Sequence, residues 1–284
     1  MQATNLQSTI TLANNIQIPV IGYGTWQSKD GDIAQNGVLS ALSYGYRHID
    51  TAAAYRNEKS VGSALIASKI PRNEVFITSK VWNAERGYDS TKIAFEKTCQ
   101  ELQVDYLDLY LIHWPASSTR FENWDEINLD TWRAMTELYK EGKIRAIGVS
   151  NFLPHHLQSL MKTEVKPMIN QIEFHPGYRQ EEVVKYCTDN GIIIEAWSPL
   201  GCGSMLTNPL LQSIATRYQK SIAQLCIRWC LQSGVVVLPK SVTASRILEN
   251  SQVFDFEISA DDMNTINNMK NVGFSGYHPD TNEF

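Results

Sequence analysis

Short, apolar, β-branched runs recur along this chain with amphipathic stretches between them, near residues 20–24, 47–50, 75–80, 107–112, 144–149, 168–171, 192–197 and 235–238. Runs of this length read as buried strands, and strands that alternate with helical patterns build βαβ units on a parallel sheet. Eight such units is the number that closes a (β/α)8 TIM barrel of the α/β class. A doubly wound open sheet is the alternative. Barrels commonly run to about 200–250 residues or more as one domain, so 1–284 is expected to be a single domain. No linker, low-complexity tract or charge run divides it.

The stretches between the runs predict helices over 57–65, 89–102, 130–141, 154–161, 180–189 and 221–231. Asp89, Asp130 and Ser221 are placed to cap, and Pro154 suits a first helical turn after Asn151. Upstream of the first barrel run, residues 8–12 and 16–18 flank Asn14-Asn15, a hairpin turn signal. Two long loops, 115–129 and 201–209, stand where loops of such barrels carry function. The tail from Gly273 to Phe284, with its Gly, Pro and Asn, is expected to be irregular.

A net charge of −5 gives no reason to expect nucleic acid or an anionic membrane surface as partner. Met1 to Ile10 lacks a basic cluster followed by an apolar stretch, so the expected location is cytoplasmic. The longest apolar runs fall far short of the roughly 20 residues a membrane crossing needs. Five cysteines, Cys99, Cys187, Cys202, Cys226 and Cys230, include no Cys-x-x-Cys pair and form an odd set, so no disulfide framework is expected, and Cys226 and Cys230, four apart on an expected helix, read as small buried hydrophobes. His155-His156 reads as a helix surface, no His-Glu-x-x-His occurs, and no metal is expected.

Four ionisable residues fall at or just past the ends of consecutive strands: Asp50 and Tyr55 after the second, Lys80 at the end of the third, His113 at the end of the fourth. In a parallel barrel the strand ends converge on one face, so residues far apart in sequence can surround one substrate. A Tyr, a Lys, a His and an Asp brought together make a proton donor with tunable acidity, since a tyrosine near pKa 10 is by itself a reluctant acid at neutral pH. An ammonium beside the phenol favours the phenolate, and a carboxylate beside the ammonium fixes its place and charge. Tyr55 as acid, Lys80 as its tuner and Asp50 as the anchor fill these roles, with His113 placed to orient a substrate. Taken singly, each has an ordinary structural explanation.

The same motifs, Asp50-x4-Tyr55, Thr78-Ser79-Lys80-Val81-Trp82 and Leu111-Ile112-His113-Trp114-Pro115, resemble those of the aldo-keto reductases, carbonyl reductases that use NADPH on a (β/α)8 barrel. The resemblance runs nearly end to end, and the chain is similar to the 2,5-diketogluconate reductase and prostaglandin-F-synthase-like group. It implies that the N-terminal hairpin closes the barrel bottom and that NADPH lies across the mouth.

Gly22-x-Gly24 is followed by Thr25-Trp26, so the third glycine of a G-x-G-x-x-G fingerprint is missing and a Rossmann site is not expected. The phosphate-binding candidate lies after the eighth strand, where barrels commonly hold phosphate. There Lys240 and Arg246 offer a point charge and a planar fork, with the Ser241 and Thr243 hydroxyls as further donors. By resemblance, this segment with Val242 grips the 2′-phosphate of NADPH, and Glu249 and Asn250 hold the adenine. Ser150, Asn151 and Gln171 would bind the nicotinamide carboxamide, and Trp197 would stack on its ring. Ser198, Pro199, Leu200 and Gly201 would line the pyrophosphate, while Gly24, Thr25, Trp26 and Asp50 would complete the cofactor groove.

Trp26, Trp82 and Trp114, with Tyr55 and His113, are expected to line the pocket for a small-molecule carbonyl substrate, such as an aldehyde, ketone, dicarbonyl or keto sugar. No obligate protein partner is expected. Two other readings stay open: a nucleotide-sensing regulatory subunit on the same fold, and a lyase or isomerase on a generic barrel, which would have no use for the 240–246 segment.

Overall fold

A computed structural model describes residues 3–270 and 272–282, leaving Met1, Gln2, Asn271, Glu283 and Phe284 outside the described residues. The chain opens with an antiparallel hairpin, β1 (Thr9–Thr11) and β2 (Gln17–Pro19), in which Thr9 pairs with Pro19 and Thr11 with Gln17. Asn15 takes the left-handed φ of 67° that the turn requires.

Eight strands follow in one parallel sheet: β3 (Tyr23–Gly24), β4 (His48–Asp50), β5 (Phe76–Val81), β6 (Leu107–Ile112), β7 (Ile144–Ser150), β8 (Ile169–Glu173), β9 (Ile193–Trp197) and β10 (Val236–Val237). Each lies within or beside one of the eight runs expected from sequence. Neighbours pair in chain order from β3 to β10. A parallel bridge between Ile21 and Val237 brings the last strand back to the first, with the Gly22 amide donating to the Val237 carbonyl at 2.9 Å. Gly22 makes this closure possible: a Cβ there would stand 2.6 Å from Leu238 and 2.7 Å from His48. The first glycine of the broken dinucleotide fingerprint therefore serves strand packing.

Ten helices cover the outside: α1 (Asp32–Ser43), α2 (Glu58–Ser68), α3 (Tyr88–Leu102), α4 (Trp124–Lys140), α5 (Pro154–Leu160), α6 (Glu181–Asp189), α7 (Pro209–Arg217), α8 (Ile222–Gln232), α9 (Ala244–Ser251) and α10 (Ala260–Asn267), counted among the described residues. Ser221 caps α8 by accepting from the Gln224 amide, and Pro154 occupies the first turn of α5. The expected start of the fourth helix at Asp130 is corrected to Trp124, so the long loop before it is shorter than 115–129. Its first turns are polar and are fixed by tertiary contact, since Asn128 accepts from the Ala116 amide at 2.8 Å and donates to the Ala116 carbonyl at 3.1 Å. α1, α7, α9 and α10 also lie outside the predicted helices; α1 carries Gly37 against Tyr23, where a Cβ would meet the phenol oxygen.

Side chains alternate across each strand, so one file from every strand points into the barrel. These files grade from apolar at the bottom to polar at the top. Phe76 leads to Thr78 and Lys80, Leu109 to Leu111 and His113, Ile169 to Gln171 and Glu173, and Ile193 to Glu195 and Trp197. The lower layer, Phe76, Leu109, Leu111, Ala146, Met168, Ile169 and Val236, packs with Leu12 and Ile18 of the hairpin segment, which close the bottom. A larger apolar cluster, including Tyr23, Phe95, Trp132 and Trp229, packs the helices onto the strands. Among the described residues no helix is long and apolar enough to cross a membrane.

Candidate functional site

The polar ends of the inward files meet in a cleft of about 1070 Å³ at the C-terminal end of the strands. Asp50 closes β4, Lys80 lies on β5, His113 directly follows β6, and Tyr55 ends a short 3-10 turn at Ala53–Tyr55. All four line the cleft except Lys80, which lies beneath it and is fully buried.

The Lys80 ammonium donates to both carboxylate oxygens of Asp50 at 2.8 Å, to the Thr51 carbonyl at 2.9 Å, and to the Tyr55 hydroxyl at 3.4 Å. Burial is the largest single influence and opposes its charge, but Asp50, with Tyr55 and Glu195 adding to it, outweighs burial and the Lys80 pKa is raised. Burial pushes the Tyr55 phenol up to about 12, against the opposing pull of Lys80. The lysine thus acts on the phenol in the direction expected from sequence, while desolvation decides the net shift. His113 is held well below the usual histidine range by burial and by the Lys80 and Arg86 charges, so its ring is neutral. It packs edge-on to Tyr55 and Trp82, with ring centres at 5.5 and 5.2 Å.

Such a group has an acid, a fixed cation beside it, a counter-ion and a neutral imidazole facing one cleft. It can hold a carbonyl oxygen by hydrogen bonds and deliver a proton to it.

The expected cofactor residues divide between the cleft and its flank. Ser150, Asn151, Gln171, Trp197, Ser198, Pro199, Leu200, Gly24, Trp26 and Lys240 line the cleft. Thr25, Gly201, Ser241, Val242, Thr243, Arg246, Glu249 and Asn250 do not line it, and the segment from Ser241 onward leads away along the start of α9. Asn151 is held in a left-handed backbone with φ 64°. Its amide donates to Ser150 Oγ and the His113 carbonyl at 3.0 Å and accepts from the Trp197 indole at 2.8 Å. Trp197 is half-buried, with Trp26 and Trp114 edge-on at 6.4 and 6.5 Å.

Lys240 donates only to the Gln27 carbonyl at 3.2 Å, and the exposed Arg246 makes no ion pair among the described residues. Two cations without a carboxylate partner, placed beside a groove, suit an anionic group. Trp82 and Trp114 both line the cleft as expected.

Two contributors to the site lay outside the sequence reading. Glu195, buried on β9, accepts from Gln171 Nε2 at 2.7 Å; a lone carboxylate within Ile192-Ile193-Ile194-Glu195-Ala196-Trp197 was its signal. Tyr277 of the tail also lines the cleft, 6.4 Å from Trp114. The tail up to Asn282 is irregular, as expected, and it is tied at both ends. Ser275 donates to Glu173 at 2.7 Å, while His155 and His156 each bring Nε2 to 3.0 Å from Asp280 Oδ1.

His156 is fully buried, which corrects its reading as helix surface, whereas His155 is exposed. These three side chains are close enough to hold a metal ion. However, His156 Nδ1 accepts from the Leu153 amide at 3.1 Å, which places the proton of the neutral ring on Nε2 and leaves no lone pair there for a metal.

The family model for the aldo/keto reductase family matches residues 20–271. The chain is 50% identical over 278 residues to glyoxal reductase of Bacillus subtilis (strain 168), covering 98% of each sequence. It superposes with TM-score 0.91 on an aldo-keto reductase from a Medee basin deep-sea metagenome library, at 42% identity, covering 97% of this chain and 100% of the other. An aldo-keto reductase of Bombyx mori, solved in complex with NADP, matches with TM-score 0.88 at 31% identity, covering 99% of this chain and 100% of that one. With the fold, the strand-end residues and these likenesses in agreement, the chain belongs to the aldo/keto reductase family.

Proposed function

We propose that this protein reduces aldehydes and ketones, dicarbonyls and keto sugars among them, with Tyr55 giving the proton to the carbonyl oxygen. As a member of the aldo/keto reductase family it is an NADPH-dependent carbonyl-reducing oxidoreductase. The observation that carries the roles is Lys80, whose ammonium touches both Asp50 oxygens and the Tyr55 hydroxyl at the floor of the cleft.

When bound, the reduced nicotinamide would supply the hydride. The chain's own residues do the rest. Tyr55 and His113 orient the carbonyl oxygen. The protonated phenol then transfers its proton, and the phenolate so formed is stabilised by Lys80, which Asp50 keeps in place. Lys240 and Arg246, with Ser241, Val242 and Thr243 beside them, would hold the 2′-phosphate, and Glu249 and Asn250 the adenine. Trp197 would face the nicotinamide ring, whose carboxamide would meet Ser150, Asn151 and Gln171. Ser198, Pro199, Leu200 and Gly201 would follow the pyrophosphate, with Gly24, Thr25, Trp26 and Asp50 completing the groove.

The substrate pocket in this reading is an aromatic box of Trp26, Trp82 and Trp114 around Tyr55 and His113. Apolar boxes discriminate weakly between small carbonyls, so the range should be broad. Glyoxal is a natural candidate given the name of the Bacillus subtilis relative. The test is a panel of aldehydes, dicarbonyls, keto sugars and quinones followed by NADPH oxidation, and turnover of none of them would overturn the proposal. A cytoplasmic location, one domain over 1–284 and the absence of an obligate protein partner belong to the same proposal.

A further inference from the structure

Beneath the cleft, one side-chain amide is shared by two acids. Gln171 Nε2 donates to Asp50 Oδ2 at 2.9 Å and to Glu195 Oε2 at 2.7 Å. Both N–H bonds of the amide are thereby used, and Oε1 is the atom left without a partner among the described residues. Gln171 lines the cleft, so this arrangement fixes which end of the amide a ligand meets.

The charges around this amide do not balance if both acids are ionised. Lys80 is engaged by Asp50 on both oxygens and by the Thr51 carbonyl, which uses its close donors. His48, on the other side of Glu195, brings Nε2 to 3.0 Å from Thr78 Oγ1 but only to 3.7 Å from Glu195 Oε1. Burial pushes the His48 pKa down to about 3, so it supplies no cation. Glu195 is fully buried and Oε1 has no hydrogen-bond partner among the described residues. An unpaired carboxylate in such a place carries a large desolvation cost, which a bound proton removes. The groups facing Glu195 are thus Asp50 and His48 from β4, Lys80 from β5, and Tyr55 beyond them, with one cation already committed.

We infer that Glu195 is a positioning residue of the reductase site, held as a neutral carboxylic acid that, with Asp50, locks the Gln171 amide with its carbonyl oxygen toward the cleft. Burial, and then the Asp50 charge, raise its pKa above the ordinary carboxylate range, which agrees with the geometry. A carbonyl oxygen fixed in this way accepts from a ligand N–H, as a primary carboxamide offers, and repels a carboxylate. The inference rests on the reductase reading for its consequence in catalysis. When Glu195 ionises at higher pH, it adds a negative charge near Asp50 and Tyr55. That charge opposes phenolate formation, so reduction slows as pH rises through the Glu195 ionisation.

Three measurements test this on the full-length protein. Infrared spectroscopy at neutral pH should show a protonated carboxylic C=O band that is absent in Glu195→Gln; no difference between the two would overturn the inference. Glu195→Leu should weaken NADPH binding about fivefold through the freed amide, with Glu195→Gln recovering most of the loss. Equal binding by wild type and Glu195→Leu would overturn the lock. Should Glu195→Leu not fold, Glu195→Gln still decides: its kcat/KM profile should lack one alkaline ionisation that the wild type has, and identical profiles would overturn the role. A separate failure is recognisable, because turnover retained in Tyr55→Phe would remove the proton-donor reading while leaving the infrared band and the NADPH binding result standing.

Discussion

Lys80 and Asp50 form an ion pair in the barrel interior, with the ammonium 2.8 Å from each carboxylate oxygen and no exposed surface on the lysine. The pair joins two strands that are neighbours in the sheet, β4 and β5, whose register sets Asp50 beside Thr78 and leaves Lys80 one inward position higher. A buried pair of this kind is a weak source of stability when intact and a costly one when halved.

Lys80→Met should therefore destabilise the fold by about 3–5 kcal/mol, because it strands the Asp50 carboxylate without its cation. The Lys80 pKa is raised in the folded state, so its contribution is fully present below the unfolded lysine value of about 10.4 and is lost only as pH rises through the still higher folded value. The deficit of the variant, measured by urea unfolding, should be constant between about pH 6 and pH 9 on this linkage. A loss below about 1 kcal/mol, the range of an exposed pair, would mean that Asp50 finds water or another partner.

Tyr55→Phe deletes the proton donor and no expected cofactor contact, so carbonyl reduction should be abolished while NADPH affinity stays within a few-fold. Steady-state turnover and cofactor titration check the two halves. The pH profile carries a further sign. With the phenol pushed up to about 12, Tyr55 is protonated throughout the neutral range, and reduction, which uses the protonated form, should lose no rate through phenol ionisation below roughly pH 10. Alcohol oxidation, which uses the phenolate, should instead rise with pH. His113, held neutral, should add no ionisation near pH 6.5. A reduction rate that falls with pH in Glu195→Gln as early as in the wild type would contradict this assignment.

The barrel and the four strand-end residues were legible because each rests on a local period. Apolar runs of strand length mark β3 to β10, and the inward file of a strand fixes that Lys80 shares a face with Phe76 and Thr78. What the sequence hid depends on contacts between distant segments. The start of α4 is set by Asn128 reaching Ala116, not by an apolar stripe, so periodicity placed it six residues late. The burial of His156 follows from the tail crossing over α5, and the place of Tyr277 at the cleft follows from Ser275 holding Glu173 on one side and Asp280 meeting the histidines on the other. Glu195 was visible as a charge inside an apolar strand, yet only the neighbouring file from β8 explains its partner.

Lys240 and Arg246 should set the cofactor preference. Neither has a carboxylate partner among the described residues, and only the 2′-phosphorylated cofactor offers them one. Replacing both with Ala should erode the preference for NADPH mainly by weakening NADPH, by about 2–3 kcal/mol for two charge-assisted contacts, with NADH little changed. Dissociation constants for both cofactors measure it. Equal binding of NADH and NADPH by the unmodified protein would remove the phosphate role from this segment.

Trp197 should present a flat aromatic face to the nicotinamide. It is half-buried at the end of β9, lines the cleft, and is held by its indole N–H donating to Asn151 Oδ1 at 2.8 Å, so the ring is oriented before any ligand arrives. NADPH binding should quench part of the tryptophan emission. Trp26, Trp82 and Trp114 line the same cleft and will also respond, so the quench alone does not identify the residue. Trp197→Ala should remove much of it and weaken binding by roughly 1 kcal/mol, the scale of one aromatic contact. Because Ala also releases Asn151, Trp197→Phe separates the two effects: it keeps an aromatic face but loses the N–H, and it should retain most of the affinity if stacking dominates. A folded Trp197→Ala protein with unaltered quench and affinity would show that the nicotinamide lies elsewhere in the cleft.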